Sequence, residues 1–164
     1  MSGLSRADLA IVEAIVDRLI PSDDTGPGAR EACVGRYIDL SLQDAYGDSC
    51  ETYRSGLAAI ESHCRNVHGG SFVELATDAQ DAVLERVEAG ALGGSASPPP
   101  GFFALIRQHA IEGMFCDPRW GGNAERIGWK LIGYPGPKAV WTAAEQDLDY
   151  DPARPTRGEG SSVA

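Results

Sequence analysis

The sequence predicts an all-α fold, an irregular bundle of about five main helices followed by a loop-rich region and an extended polar tail. Apolar residues recur at the three- and four-residue spacing of amphipathic helices through most of the chain before Cys116. No stretch of five or more residues alternates apolar and polar side chains, as a half-buried strand does. Glycine and proline separate the helical segments, so each helix has a predicted end.

The first two helices are delimited by caps and by proline. Ser5 followed by Asp8 is a capping arrangement at the start of the first helix, which is expected to end at Pro21 because the residue before proline avoids the helical conformation. The second helix is expected from about Ala29 to Tyr46, with its apolar positions on one face.

Three further helices complete the predicted bundle. The third is expected from about Ser49 to Val67. Thr77 and Gln80 form a predicted capping box at the start of the fourth, which Gly90 ends. A connector rich in glycine, serine and proline leads to the fifth helix, expected from about Phe102 to Phe115.

The chain changes character after the fifth helix. Residues 116–123 and 133–137 are predicted loops, and Asn123 is expected to cap a short helix between them. We therefore expect a helical domain over residues 1–141 and a polar tail over residues 142–164 that orders only as an arm on a partner.

Length and charge exclude several classes of function. The chain has 164 residues, enough for one domain, and 24 acidic against 14 basic side chains give it a net charge of −10. Nucleic-acid binding and adhesion to an anionic membrane both need clustered basic side chains, so neither is expected. No apolar run is long enough to span a bilayer, so no membrane insertion is expected.

The cysteines carry no recognisable motif. No two are spaced as a C-x-x-C pair, so neither a zinc ribbon nor a thioredoxin-type site is expected. Their even number leaves disulfides open, but four small and mostly buried apolar side chains are the favoured interpretation. The four are Cys33, Cys50, Cys64 and Cys116.

No motif for cofactor, metal or covalent catalysis is present, so we expect no cofactor, no metal and no catalytic residue in this chain. The dinucleotide-binding, P-loop and serine-hydrolase signatures are all missing from the sequence. His63, Cys64 and His68 match no zinc spacing and are interpreted as a helix end with exposed imidazoles. Asp23 and Asp24 are interpreted as a solvated turn rather than a cation site.

Two residues have a catalytic alternative. His109 fits a general base, but it shares a helix face with apolar residues and is predicted to be buried and hydrogen-bonded. Cys116 beside Asp117 fits a thiol nucleophile only if a nearby base lowers its pKa, and a packing cysteine is favoured.

The aromatic residues after the fifth helix are the strongest functional signal. Residues 115–136 combine aromatic side chains with glycines and prolines that fix loop shapes, and protein–protein hot spots favour aromatic residues and arginine. A small internal core is the alternative. The candidate partner interface consists of Phe115, Asp117, Arg119, Trp120, Asn123, Trp129, Tyr134 and Trp141.

The motifs resemble those of a known family. The runs at 111–123 (IEGMFCDPRWGGN) and 128–136 (GWKLIGYPG) resemble the gluconate 2-dehydrogenase subunit 3 family. Residues 15–32 resemble the family's opening pattern, and residues 53–57 its middle. The likeness extends from about Leu9 to Pro137.

The resemblance implies a small, non-catalytic subunit that stabilises or matures a large flavoprotein of the glucose–methanol–choline oxidoreductase type. That partner holds FAD and oxidises an alcohol group of a sugar, a sugar acid or a related compound, and a cytochrome c often takes the electrons onward. Many family members carry a twin-arginine leader, which this sequence lacks. We therefore expect a cytoplasmic chain with another electron acceptor, or a periplasmic one if a leader was removed.

Two alternatives remain open from the sequence. The chain is either a transient assembly chaperone of the flavoprotein, which leaves after maturation, or a stand-alone enzyme using His109, Cys116 and Asp117. A chaperone predicts no stable complex in the finished enzyme, whereas a stand-alone enzyme predicts turnover by the isolated chain.

Overall fold

A computed structural model describes residues 3–93, 97–137, 140 and 142–149, and it confirms the all-α fold. Within these residues there is no β-strand, and an isolated bridge joins Asp23 and Gly26. The described α-helices are α1 (Arg6–Leu19), α2 (Val34–Gln43), α3 (Cys50–His68), α4 (Thr77–Glu88), α5 (Phe102–Phe115) and α6 (Ile127–Leu131). Short 3₁₀ turns lie at Gly47–Ser49, Phe72–Glu74, Pro118–Trp120, Ala124–Arg126 and Ala144–Gln146.

The core lies between α1, α2, α3 and α5, where the apolar faces predicted from helical spacing meet. Each fully buried aliphatic or aromatic side chain contributes about 1.5–3 kcal/mol through its removal from water. The largest completely buried apolar side chains include Ile15, Ile38, Leu57, Phe72, Phe102, Ile106 and Met114.

Both ends of α1 are fixed by polar contacts. Ser5 caps the helix as predicted, because its Oγ accepts a hydrogen bond from the Asp8 amide at 3.1 Å. Near the other end, Arg18 forms a two-pronged ion pair with Asp81 of α4 at 2.7 and 2.9 Å. This pair holds α4 against α1.

Two local predictions were wrong. The α2 helix spans Val34–Gln43 instead of about Ala29 to Tyr46, because Cys33 adopts the left-handed conformation (φ 58°), residues 29–33 form turns, and the chain turns again after Gln43. Thr77 and Gln80 do not form a capping box, since the Gln80 amide donates to the Phe72 carbonyl at 2.9 Å. A capping box occurs earlier in the chain, between Ser71 and Glu74.

The C-terminal predictions fall partly outside the described residues. Residues 142–149 contain the 3₁₀ turn at Ala144–Gln146, whereas Trp141 and residues 150–164 lie outside the part that the structure describes. The boundary between domain and tail stays a prediction. None of the described helices combines the length and apolarity needed to cross a bilayer.

Candidate functional site: a groove beside the aromatic loop

A groove of about 900 Å³ lies between α2, α5 and the loop after α5. Its floor and walls come from the second half of α2 with the following turn, from the last two turns of α5, and from residues 116–120. Three large apolar side chains border it while remaining substantially exposed: Leu40 (40%), Ile111 (46%) and Trp120 (55%). Grouped exposed apolar surface of this kind marks a binding surface more often than isolated exposed residues do.

The floor of the groove carries a carboxylate held by neutral donors. The hydroxyls of Tyr37 and Tyr46 donate to Glu112 Oε2 at 3.1 and 2.9 Å, and the Gln108 amide donates to Oε1 at 2.9 Å. Burial alone would raise the pKa of Glu112, but these hydrogen bonds outweigh it and lower the pKa below its ordinary value. Glu112 is therefore an anion at neutral pH.

The two tyrosines are neutral donors to this anion. Burial raises the pKa of Tyr37 to about 12, and the nearby Glu112 charge acts in the same direction. The hydrogen bond to Glu112 raises the pKa of Tyr46 above its ordinary value, with burial adding to the effect. Both hydroxyls keep their protons, so they stabilise the carboxylate.

His109 lies beneath this floor and is buried, as predicted. Its ring is 2% exposed and stacks on Tyr46 with 4.3 Å between ring centroids. Its Nδ1 lies 3.0 Å from the hydroxyl of Tyr53, which is also completely buried. Burial lowers the pKa of His109 more than the Glu112 charge raises it, so the neutral imidazole is favoured.

Cys116 has the environment of a packing cysteine. Its Sγ lies 3.6 Å from the carbonyl oxygen of Gly113, and the residue is half-buried. Burial raises the pKa of the thiol, which is opposite to the shift that a nucleophilic cysteine needs. All four cysteines are free thiols in the structure, and Cys50 and Cys64 are buried.

The loop that carries Trp120 is held by its own contacts. Asp117 caps the 3₁₀ turn by accepting from the Arg119 amide at 3.1 Å. The Arg119 guanidinium lies 3.6 Å from the Asp117 carboxylate and 5.3 Å from the centre of the Trp120 ring system. Gly121 has φ +95°, and a Cβ there would come within 2.6 Å of Leu40 Cδ1, so this position requires glycine.

Asn123 joins this loop to α5 and α6 from inside the protein. Its amide nitrogen Nδ2 donates to the Cys116 carbonyl at 2.7 Å, and its Oδ1 accepts from the Gly128 amide at 2.8 Å. Its backbone amide donates to the Gly113 carbonyl at 2.8 Å. The predicted cap therefore reaches the first turn of α6, although Arg126 occupies the cap position itself.

Trp129 belongs to a small internal core rather than to the surface. Its side chain is 7% exposed, and its indole nitrogen donates to the Phe115 carbonyl at 2.7 Å. The edge of the Tyr134 ring packs against it with centroids 5.1 Å apart. A Cβ on Gly128 would collide with the Met114 carbonyl, so the chain packs closely against the end of α5.

The structure divides the predicted interface residues into three groups. Trp120 and Arg119 are exposed beside the groove, where Asp117 and Phe115 are half-buried. Tyr134 is exposed away from the groove lining. Asn123 and Trp129 lie inside the chain and hold the loop in place, and Trp141 lies outside the described residues.

Sequence reasoning missed the half of the groove formed by the helices. Leu40 and Ile111 are large aliphatic residues on the polar sides of α2 and α5, and that mismatch with the helical pattern was the available signal. The sequence contains no signal for the role of the Glu112 carboxylate, because its hydrogen-bond partner Tyr37 lies 75 positions away in the sequence.

The remaining candidate residues form no second site. The rings of His63 and His68 are 6.2 Å apart, and the described residues contain no group of three metal-binding side chains. His68 is exposed as expected, but the expectation was wrong for His63, which faces the interior one turn before the end of α3. The exposed turn predicted at Asp23 is confirmed, since Asp23 Oδ1 accepts from the Thr25 amide at 2.7 Å. That hydrogen bond lowers the pKa of Asp23.

Fold and groove together define a class, a small helical protein that presents a preformed apolar groove with an anionic floor. The model of the gluconate 2-dehydrogenase subunit 3 family matches residues 6–136. The chain belongs to that family, whose name implies a small subunit of a dehydrogenase complex. Comparisons with curated proteins and with solved structures give no match.

Proposed function

We propose that this chain is a non-catalytic small subunit that binds and stabilises a large FAD-dependent dehydrogenase of the glucose–methanol–choline type. The large subunit holds FAD and oxidises an alcohol group of a sugar, a sugar acid or a related compound. Electrons leave to a cytochrome c or to another acceptor. Family membership supports the subunit role, and the groove supports a docking surface on this chain.

The observation that carries the proposal is the exposed apolar border of the groove on a rigid frame. Leu40, Ile111 and Trp120 are exposed, whereas many other large apolar side chains of the described residues are buried in the core. Tryptophan and arginine are enriched among residues that dominate binding energy, and Arg119 lies on Trp120. Because the loop is already ordered by Asp117 and Asn123, docking costs little conformational entropy.

The chemistry of the two catalytic candidates supports a non-catalytic role. The Nδ1 of His109 already contacts the Tyr53 hydroxyl, and its imidazole is 2% exposed. Burial raises the pKa of the Cys116 thiol. His109 is neutral, as a general base must be, but its burial keeps it out of reach of a substrate, and the raised pKa keeps the Cys116 thiol protonated and therefore weakly nucleophilic.

The test is co-purification with the large flavoprotein from the native cell. Trp120→Ala and Ile111→Ala each remove an apolar anchor and should weaken the complex by about 2 kcal/mol, or roughly 30-fold in Kd. Val67→Ala is the control, because Val67 is 61% exposed at the end of α3, away from the groove lining. It should leave Kd within about twofold.

Each result has a distinct meaning. Weakening by both groove variants but not by Val67→Ala supports the docking surface. Unchanged binding by Trp120→Ala would make the loop an internal brace. Capture of an immature flavoprotein only, with none in the finished enzyme, would favour the transient chaperone.

A further inference from the structure

The anionic floor of the groove lacks a counter-charge within the described residues. Every donor to the Glu112 carboxylate is neutral, and no described ion pair includes Glu112. Its Oε1 accepts a single described hydrogen bond, from Gln108, whereas a carboxylate oxygen has two acceptor positions. The floor therefore has capacity for a cationic donor that approaches from the groove.

The charged side chains of the groove lining carry a net negative charge, although Arg36 lies nearby, with its Nε 3.8 Å from the Cβ position of Gly121. Arg119 is the one basic residue of the described lining, and it is paired with Asp117 at 3.6 Å. Asp44 and Glu112 remain, so the groove has an excess of negative charge. An anionic ligand or an anionic membrane surface is disfavoured there by charge repulsion.

The apolar border of the groove can pack against the aliphatic stem of a basic side chain. Lysine and arginine have aliphatic stems that pack along apolar surface while the charged head reaches a polar partner. Leu40 and Ile111 supply such surface on the helices, and the Trp120 ring suits stacking against a guanidinium. Covering the groove also removes water, which strengthens attraction between opposite charges inside it.

We propose that the groove receives a segment of the large subunit that places an arginine or lysine head group on the Glu112 carboxylate, with apolar neighbours of that residue packed on Leu40, Ile111 and Trp120. This inference rests on the proposed function and adds the chemistry of the partner segment. Asp44 attracts the basic side chain at the rim, and Glu112 holds it at the floor.

The test measures the affinity of the full chain for the large subunit. Glu112→Gln keeps the shape of the side chain and removes its charge, and Kd should rise roughly tenfold or more, mainly through faster dissociation. Asp44→Asn should mainly slow association, because a rim charge steers encounter. Glu85→Gln on the exposed side of α4 is the charge-matched control and should change neither rate by more than about twofold.

The outcomes separate this inference from the proposed function. If Ile111→Ala weakens the complex and Glu112→Gln does not, the proposal that a basic side chain binds Glu112 is wrong, while the proposal of a docking surface remains supported. If the unaltered chain binds no flavoprotein, the proposed function itself fails. Should Glu112→Gln fail to fold, Asp44→Asn decides: an association rate within about twofold of that of the unaltered chain overturns the inference.

Two other occupants would give different results and would overturn the assignment to the large subunit. A second copy of this chain would make the isolated protein a dimer that Glu112→Gln dissociates. The chain's own tail would make Arg154→Gln and Arg157→Gln destabilise the isolated protein to the same extent as Glu112→Gln, measured as a shift in Tm.

Discussion

Asn123 is completely buried, and its side chain bridges the main chain at Cys116 and Gly128, two segments that the Trp129 indole also links through the Phe115 carbonyl. It accepts from Gly128 and donates to Cys116 while its backbone adopts a left-handed conformation (φ 44°), which asparagine tolerates better than most residues. This amide is therefore one of the supports of the loop that positions Trp120, together with the Asp117 cap. The sequence predicts that Asn123 caps a short helix and belongs to a partner interface, whereas in the structure it is a buried internal support.

Asn123→Ala should lower the free energy of unfolding by about 2–4 kcal/mol, because two buried main-chain groups lose their partner and alanine is strained at this φ. Asn123→Gly removes the strain but not the loss of hydrogen bonds, and it should recover about 1 kcal/mol. Urea unfolding monitored by tryptophan fluorescence measures both values. Asn66→Ala on the exposed side of α3 is the control and should cost no more than about 0.5 kcal/mol.

The two buried histidines make stability dependent on pH. Burial lowers the pKa values of His109 and His63 in the folded chain below the ordinary value of 6.5. The unfolded chain therefore binds more protons than the folded chain once the pH falls below about 6.5. Their contribution is fully present above that pH and is lost progressively as the pH falls toward their folded-state pKa values.

We expect the free energy of unfolding to decrease between about pH 7 and pH 5, and His109→Gln to reduce that slope. Glutamine is uncharged at every pH in this range and can still form a hydrogen bond with Tyr53. His68→Gln, at the exposed end of α3, is the matched control. A slope that is the same in His109→Gln and in His68→Gln would contradict the expectation.

At the scale of the helix, the groove depends on how closely α2 approaches α5. Gly113 lies on α5 where the two helices meet, and a Cβ there would come within 2.8 Å of Tyr37 Cδ1 and 3.1 Å of Val34 Cγ1. Tyr37 is also a donor to Glu112. The spacing of the helices and the geometry of the groove floor are therefore set at the same place.

Gly113→Ala should lower the free energy of unfolding by about 1–3 kcal/mol, because the added methyl group forces α2 away from α5. Since Tyr37 moves with α2, affinity for the large subunit should fall as well. Gly70→Ala is the control, because a Cβ there meets the end of the flexible Glu74 side chain at 3.3 Å. Unfolding in urea and the Kd of the complex are the two measurements, and an increase in stability for Gly113→Ala would show that the helices adjust without cost.

The helices themselves could be predicted where the apolar pattern and the end signals agree. The bounds of α5 and the all-α class follow from sequence in this way, whereas the start of α2 does not. Residues 29–33 have good helix formers, but long-range hydrogen bonds from Ala29 to the Ile20 carbonyl and from Ala124 to the Ala32 carbonyl hold them as turns. Tertiary contacts of this kind override local propensity.

The capping boxes show a second limit of sequence reasoning. Ser71 to Glu74 and Thr77 to Gln80 both have the spacing of a capping box. The folded chain uses the first pair, because Gln80 finds the buried Phe72 carbonyl instead. Two sites with the same local pattern are distinguished by a contact that only the packed structure provides.

For the whole molecule, the sequence predicts one side of the groove but not the other. The aromatic, glycine-rich segment follows α5 as predicted, and Trp120 and Arg119 are exposed there beside the groove, whereas their role as an interface stays a prediction. The groove also needs Leu40, Tyr37 and the turn after α2, and these come from the first third of the chain. Sequence spacing gives no distance between segments so far apart, so the aromatic loop was assigned surface residues that turn out to be its internal supports.

A stabilising subunit should act on the flavoprotein in proportion to its occupancy, because a ligand that binds the folded state shifts the folding equilibrium by mass action. We expect co-expression of this chain to raise the yield of large subunit that is both soluble and loaded with FAD, measured by flavin absorbance per protein. Ile111→Ala should reduce that gain, and Val67→Ala should not.

The isolated chain should show no flavin colour and no alcohol oxidation of its own. If activity appeared in the isolated chain and disappeared with Cys116→Ala or His109→Ala, the stand-alone enzyme would replace the subunit as the proposed function, since no partner is present in that experiment.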